Sequence, residues 1–439
     1  MLLPQDTVKS VVARLRQLPQ QGYQQLSLAL PEMDLLAWLN QQNHNFRGYW
    51  KSKQGDEVAW LGAAESLNDL EQVQATIDAL DTNDHSLRFY GGIAFTRQSA
   101  TWPSFPRRRF VLPRIEIRQK PGSCEMIINA NFRNRPEHEY QCITGELEGL
   151  ARIQPLADIR CDALSRIDQP SRDQWQHLVD EVTGGDFQQH TAKVVLSRQT
   201  TIALKGTLNP FSLLNQWQQR EQDCYSFLFQ FDGLRSFVGC SPERLYARCD
   251  TELLSEALAG TAPRGQTVQQ DCQLGSQLLN DHKNQWENQV VLDDLSRRLQ
   301  ELSLHVNPDA ELELVKLKHV QHLKRRITAM ISPELDDLSL LDALHPTPAV
   351  GGMPRKSAIQ YILHHEGYAR GWYTGAVGWF SGAASEFSVA IRSALVLPDH
   401  VHAFAGAGIV AGSQAELEWQ ELNHKIATIL ELLNGKALA

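Results

Sequence analysis

No stretch of this chain reaches the roughly 18 consecutive apolar residues that a membrane-spanning helix requires. Paired cysteines are missing too. The seven cysteines, at positions 124, 142, 161, 224, 240, 249 and 272, are odd in number, scattered, and never spaced as C-x-x-C. They argue against a disulfide framework and a zinc site, and read as the reduced thiols of a cytoplasmic protein. Basic excess is absent as well: 42 Lys and Arg stand against 51 Asp and Glu, a formal net charge of −9. A nucleic-acid binder needs a basic face to neutralise phosphates, so the balance argues against that class. The opening residues, MLLPQDTVKSVVARLRQL, interrupt their apolar positions with Gln, Asp, Lys and Arg and form no signal-peptide core. There is no internal repeat and no low-complexity linker.

What is present is a chain of 439 residues, 42% hydrophobic and 21% charged, long enough for an extensive core. Residues 1–155 carry strand-like runs at 57–64, 88–95 and 109–119 but no constellation of chemical residues, and are expected to supply supporting sheet strands. From about residue 170 the pattern predicts strands over 193–204, 224–231, 235–240 and 243–249, then a long helix over 275–304. Late strands are predicted over 372–380, 385–397 and 402–410. Strands that follow one another at short separations favour antiparallel pairing. The expectation is an α+β fold with large antiparallel sheets, a supporting region 1–155 and a catalytic region 156–439 in one compact unit.

The chemistry concentrates near the end. GAGIVAG (406–412) leads into AELEWQELNHK (415–425), and spacings of three and four put Glu418, Glu421 and Lys425 on one helix face. Trp419, Leu422, Ile426, Ile429 and Leu433 form the adjoining apolar stripe, and Gly435 is the expected stop. The glycines are read as a mobile turn that lets a ligand approach the backbone ahead of the helix. An anionic ligand with a divalent cation held by glutamates would use both features. Lys193 heads an apolar strand, where a lysine either snorkels outward or is desolvated into a usable base. Glu243 follows Pro242 in a turn that can present a carboxyl group to a cleft. Glu287 falls on a partly core-facing side with Val290, Val291 and Asp294, where a carboxylate needs a cation or an ion pair. Arg392, inside a hydrophobic strand, needs a partner for its planar fork; Tyr373 could add a donor to the same anion, while His322 and Thr261 are weaker candidates.

Taken in order, KVVLSR, SPER, EALAGTAPRG, KNQWEN, LHPTPAVGGMP, RGWYTGAVGW, FSVAIRS and the closing GAGIVAGSQAELEWQELNHK resemble the chorismate-utilising enzymes across residues 170–430. LHPTPAVGG and the lysine of KVVLSR most resemble isochorismate synthases, and the long N-terminal region resembles the menaquinone-pathway branch rather than the shorter siderophore-pathway enzymes. The resemblance implies large antiparallel sheets around a buried site, with Mg²⁺ as cofactor and chorismate as substrate. Lys193 matches the base that activates water for attack at C2, and Glu243 the acid that protonates the departing C4 hydroxyl. Glu287 and Glu421 match the magnesium ligands, with Glu418 close by. Arg392 and Tyr373 match the residues that hold the pyruvyl carboxylate. Gly406 and Lys425 match further carboxylate contacts, Thr261 falls near the C4 hydroxyl, and His322 lines the pocket.

Departures within the family bear on the reaction. Ala259 stands where aminodeoxychorismate synthases carry a nucleophilic lysine, and PTPAVGG replaces the PAGTVSG-like motif of the ammonia-using anthranilate synthases. No glutamine amidotransferase subunit is therefore expected, and the chain is read as a monomer or homodimer. Salicylate synthases share the lysine and glutamate and go on to release pyruvate; they tend to carry threonine at the position of Ala349, and alanine favours stopping at isochorismate. Asn288 departs from the Glu-His pair common in the wider family, next to the proposed metal ligand. The reading is an isomerase making isochorismate, with a lyase making salicylate as the enzymatic runner-up; a non-catalytic chorismate-binding paralogue is disfavoured because acid, base and both metal ligands are present.

Overall fold

Two antiparallel sheets of unequal size organise the molecule. A computed structural model describes residues 2–81, 84–133 and 135–434; Gly435, the expected helix stop, lies outside the described residues. Among these residues one sheet has twelve strands and the other ten, every recorded pairing being antiparallel. Both combine early and late parts of the chain. In the larger sheet the strand Arg47–Lys51 pairs with Tyr225–Gln230, with Tyr49 opposite Leu228. In the smaller one Phe89–Ile93 pairs with Ala376–Phe380, with Gly91 opposite Gly378. Residues before 155 thus extend the same sheets that carry the candidate site.

Alternation along these strands explains the layering, because residues two apart share a face. Aromatic side chains from both sheets, among them Trp60, Tyr90, Phe229, Phe237 and Trp372, form one buried cluster. Trp372 packs edge-on against Phe105, Phe229 and Phe237 with ring centroids 5.2 to 6.4 Å apart, the geometry that aromatic quadrupoles favour. A second cluster joins the larger sheet to helices that include Ala415–Leu432, and a third joins the smaller sheet to the helix His282–Gln300. The arrangement is α+β, as the strand pattern predicts.

Several element boundaries differ from the sequence reading. The helix expected over 275–304 is two helices, Val268–Asn280 and His282–Gln300. Asp281 separates them with an extended backbone and caps the second by accepting from the Asn284 N–H at 2.8 Å, the usual role of aspartate at a helix start. The strand expected over 385–397 is broken into Ala384–Val389 and Ser393–Val396 around Arg392, whose φ is +48°. Trp372, Tyr373 and Thr374 form a turn ahead of the strand Ala376–Phe380. The glycine run is not a mobile turn: Gly406 and Gly408 lie within the strand His400–Val410, and only Gly412 turns the chain toward the last helix.

Candidate active site

Six elements converge on one cavity. The strand Lys193–Lys205 pairs with His400–Val410, placing Val195 opposite Gly408, and the last helix packs beside them. From the smaller sheet come the paired strands Glu252–Pro263 and Val320–Ile331, with Thr261 opposite His322, and the helix His282–Gln300 against them. About 640 Å³ of space, part of it open to solvent, is lined by Glu243, Thr261, Glu287, His322, Ala349, Tyr373, Arg392, Gly406, Glu421 and Lys425. Lys193 reaches the same place from behind: wholly buried, its Nζ donates to Glu287 Oε1 at 2.8 Å. Glu418 lines an adjoining recess that shares Thr261, Glu287, Gly408 and Glu421 with the cavity wall. Of the two fates open to Lys193, snorkelling is excluded.

Lys193 and Glu287 fit only because residue 408 lacks a side chain. A Cβ there would lie 2.5 Å from Glu287 Oε1 and 2.8 Å from Lys193 Cε. A Cβ at Gly406 would lie 2.9 Å from the Tyr373 hydroxyl. These glycines make room for side chains, a different use from the ligand access inferred from the sequence. Phe404, two residues before Gly406 on the same strand face, stacks on Tyr373 with centroids 4.9 Å apart. Alternation along the strand is the signal that would have added Phe404 and Gly408 to the site. Thr374 also lines the cavity and, like Arg392, has a positive φ, +56°. Left-handed backbone at non-glycine residues is costly and gathers at functional sites. Nothing in the sequence announced it for threonine.

Burial and neighbouring charges set the proton inventory. Glu243 is 2% exposed, and its pKa is pushed up to about 8, chiefly by burial. Glu256 pushes in the same direction, while Lys193, Lys53 and Lys425 oppose it. Near neutrality Glu243 therefore holds its proton. His322 is kept neutral by burial and by the charges of Arg392 and Lys425. Arg392 Nη2 meets His322 Nε2 at 2.9 Å, and since guanidinium only donates, Nε2 accepts. The imidazole proton then sits on Nδ1, 3.1 Å from Thr261 Oγ1. The array Arg392–His322–Thr261 is neutral at its centre and cationic at one end, suited to a carboxylate-bearing ligand.

On the opposite wall three carboxylates each hold a lysine: Glu287 with Lys193, Glu418 with Lys283 at 3.1 Å, and Glu421 with Lys425 at 2.5 Å. Lys425 also donates to the Gly406 carbonyl at 2.8 Å. Glu418 has a raised pKa, first from burial and then from the charge of Glu421. Crowded, partly buried carboxylates of this kind favour a cation among them. No three His, Cys, Asp or Glu side chains among the described residues form a ready ligand cage. Two carboxylates completed by water and substrate oxygens are nevertheless what magnesium prefers, and Glu287 and Glu421 on the cavity wall fit that pattern. Asn288 takes no part: it is buried and donates to the carbonyls of Ala257, Ala259 and Leu323, tying its helix to the paired strands.

Residues 9–434 match the family described as chorismate binding enzyme. The chain belongs to that family. It is 34% identical over 404 residues to the isochorismate synthase MenF of Escherichia coli (strain K12), covering 91% of this chain and 90% of that protein. It is 37% identical over 420 residues to the salicylate biosynthesis isochorismate synthase of Pseudomonas aeruginosa, covering 88% and 84%. The solved structure of MenF, the menaquinone-specific isochorismate synthase from Escherichia coli, superimposes with a TM-score of 0.88 at 32% identity, over 97% of this chain and 98% of that one. Among the described residues no helix is long and apolar enough to cross a membrane, and all seven cysteines are free.

Gly408→Ala provides a test of the packing at this site. The added methyl should drive Lys193 Nζ and Glu287 Oε1 beyond hydrogen-bond distance in a crystal structure of the variant; an undisturbed pair would contradict the analysis.

Proposed function

We propose that this protein is an isochorismate synthase, an isomerase that converts chorismate to isochorismate and feeds menaquinone formation. The observation that carries the reading is the buried, protonated Glu243 in a cavity whose wall includes Glu287, behind which Lys193 is held. Exchange of a hydroxyl between two ring carbons needs both functions, because water is a poor nucleophile and hydroxide a poor leaving group. In this reading Lys193 takes a proton from water as it attacks C2, the two ring double bonds shift by one position each, and the C4–O bond breaks. Glu243 gives its proton to the departing oxygen, which leaves as water. One proton is taken and one returned, so the conversion is neutral and reversible.

Arg392, with Tyr373 beside it, would hold the pyruvyl carboxylate, and Lys425 with the Gly406 backbone would meet a further carboxylate. Thr261, backed by neutral His322, would face the C4 hydroxyl. Magnesium held by Glu287 and Glu421, with Glu418 close by, would neutralise the ring carboxylate. Ala349 on the cavity wall supports release of isochorismate rather than salicylate. The free cysteines support a cytoplasmic setting. We further propose that residues 1–155 serve the sheet framework around a catalytic region 156–439, and that the protein acts as a monomer or homodimer without an amidotransferase subunit.

Incubation of the purified protein with chorismate and Mg²⁺, followed by chromatography, should give isochorismate in equilibrium with chorismate, lost on chelation by EDTA. Lys193→Ala should lower turnover by about 10² to 10⁴-fold, the usual worth of a positioned base, while chorismate still binds. Salicylate and pyruvate as products would transfer the protein to the lyases, and full activity of the variant would remove Lys193 from the base role.

The acid imposes a pH limb. Glu243 works only while protonated, so kcat should fall about tenfold per unit well above pH 8, given a pKa of about 8. A rate–pH profile checks this, and a rate that stays flat to pH 10 would contradict the assignment.

A further inference from the structure

A second cavity takes His345 and Pro346 from the segment that leads to Ala349, and its lining is rich in arginine. It spans about 830 Å³, part of it open to solvent, and shares no lining residue with the first. Four arginines line it: Arg97, Arg107, Arg108 and Arg355. The carboxylate in the lining is that of Asp342, which Arg97 already engages. Arg355 donates to the carbonyls of Asp342, Ala343 and His345, at the end of the helix Asp337–Leu344. Arg108 keeps Nη1 buried without a hydrogen-bond partner. Donors left unpaired in this way are costly, and their presence points to a ligand.

His345 completes the argument. It is 4% exposed, lines the cavity, and its Nε2 lies 3.1 Å from the Phe95 carbonyl. A carbonyl only accepts, so Nε2 carries the proton and Nδ1 is left as an acceptor. Nδ1 is buried and has no partner. Burial and the charges of Arg355 and Arg298 keep the ring neutral. The cavity thus offers cationic donors for an anion together with one lone pair that needs a donor from the same ligand.

We propose that this cavity is a second binding site, for a small oxyanion that carries its own hydroxyl donor, of the kind represented by hydrogenphosphate or a hydroxycarboxylate. Arg108 and Arg107 supply the charge, and Nδ1 of His345 accepts from the ligand hydroxyl. Anions without a hydroxyl satisfy the arginines but leave Nδ1 unpaired, so they bind more weakly. The proposal does not depend on the reaction assigned to the first cavity.

Isothermal titration of the full-length protein in magnesium-free buffer tests it with two matched pairs, inorganic phosphate against sulfate and malate against succinate. In the favoured pair the hydroxyl-bearing anion should bind about tenfold more tightly than its partner, and preference for one pair over the other identifies which oxyanion the site takes. Arg108→Leu should weaken that binding about tenfold or more, as loss of a charge-assisted contact does. Arg107→Leu, at an exposed position, should weaken it by a smaller factor. Both variants should keep the parent activity of the first cavity. Parity within both pairs, undiminished binding in the Arg108 variant, or no saturable binding of any of the four anions would overturn the proposal.

Discussion

The contact on which the site depends is the one between Lys193, on a strand of the larger sheet, and Glu287, on the helix packed against the smaller one. A wholly buried lysine head group cannot stand alone, because its desolvation is offset only by a partner at hydrogen-bond distance. Glu287 meets that requirement at 2.8 Å, and several features of the fold follow from bringing it there. The helix His282–Gln300 has to start at Asp281 rather than continue from the helix before it, so that its first turns face the cavity. Gly408 has to lack a side chain, since the strand pairing puts it directly across from Val195, two residues beyond Lys193. Asn288, one residue past Glu287, fixes the helix through three strand carbonyls.

Charge separation across the cavity is the second constraint. On one side burial keeps Glu243 protonated and His322 neutral. On the other, Glu287, Glu418 and Glu421 lie close to three lysines, whose amino groups occupy the neighbourhood a divalent cation would share. Lys283 illustrates the balance: burial works against its charge, yet Glu418, then Glu287 and Glu421, hold its pKa above the usual value. One cavity can therefore hold a proton donor on one side and a set of lysine-paired carboxylates on the other.

Much of this was legible in the sequence, for physical reasons. Antiparallel sheets follow from closely spaced alternating strands, and the last helix from its three-and-four spacing. Lys193, Glu287 and Arg392 stand out because a charged group among apolar neighbours needs an explanation, and Glu243 because a turn behind Pro242 can present it to a cleft. The rest was hidden in backbone conformation. A non-glycine residue in the left-handed region leaves no compositional trace, so the break at Arg392 and the turn at Thr374 read as continuous strand. Gly406 and Gly408 looked like a turn because glycine signals both flexibility and close approach, and only the strand pairing separates the two. The arginine cavity was invisible, since Arg97, Arg107 and Arg355 are brought together by tertiary packing alone.

The central claim is that Lys193 and Glu243 exchange one hydroxyl for another by way of solvent water. Running the conversion in H₂¹⁸O and analysing isochorismate by mass spectrometry tests this directly. The account predicts one ¹⁸O atom at the C2 hydroxyl of each product molecule formed. Product that retains the original C4 oxygen would mean that the hydroxyl migrates within the substrate, and would contradict it.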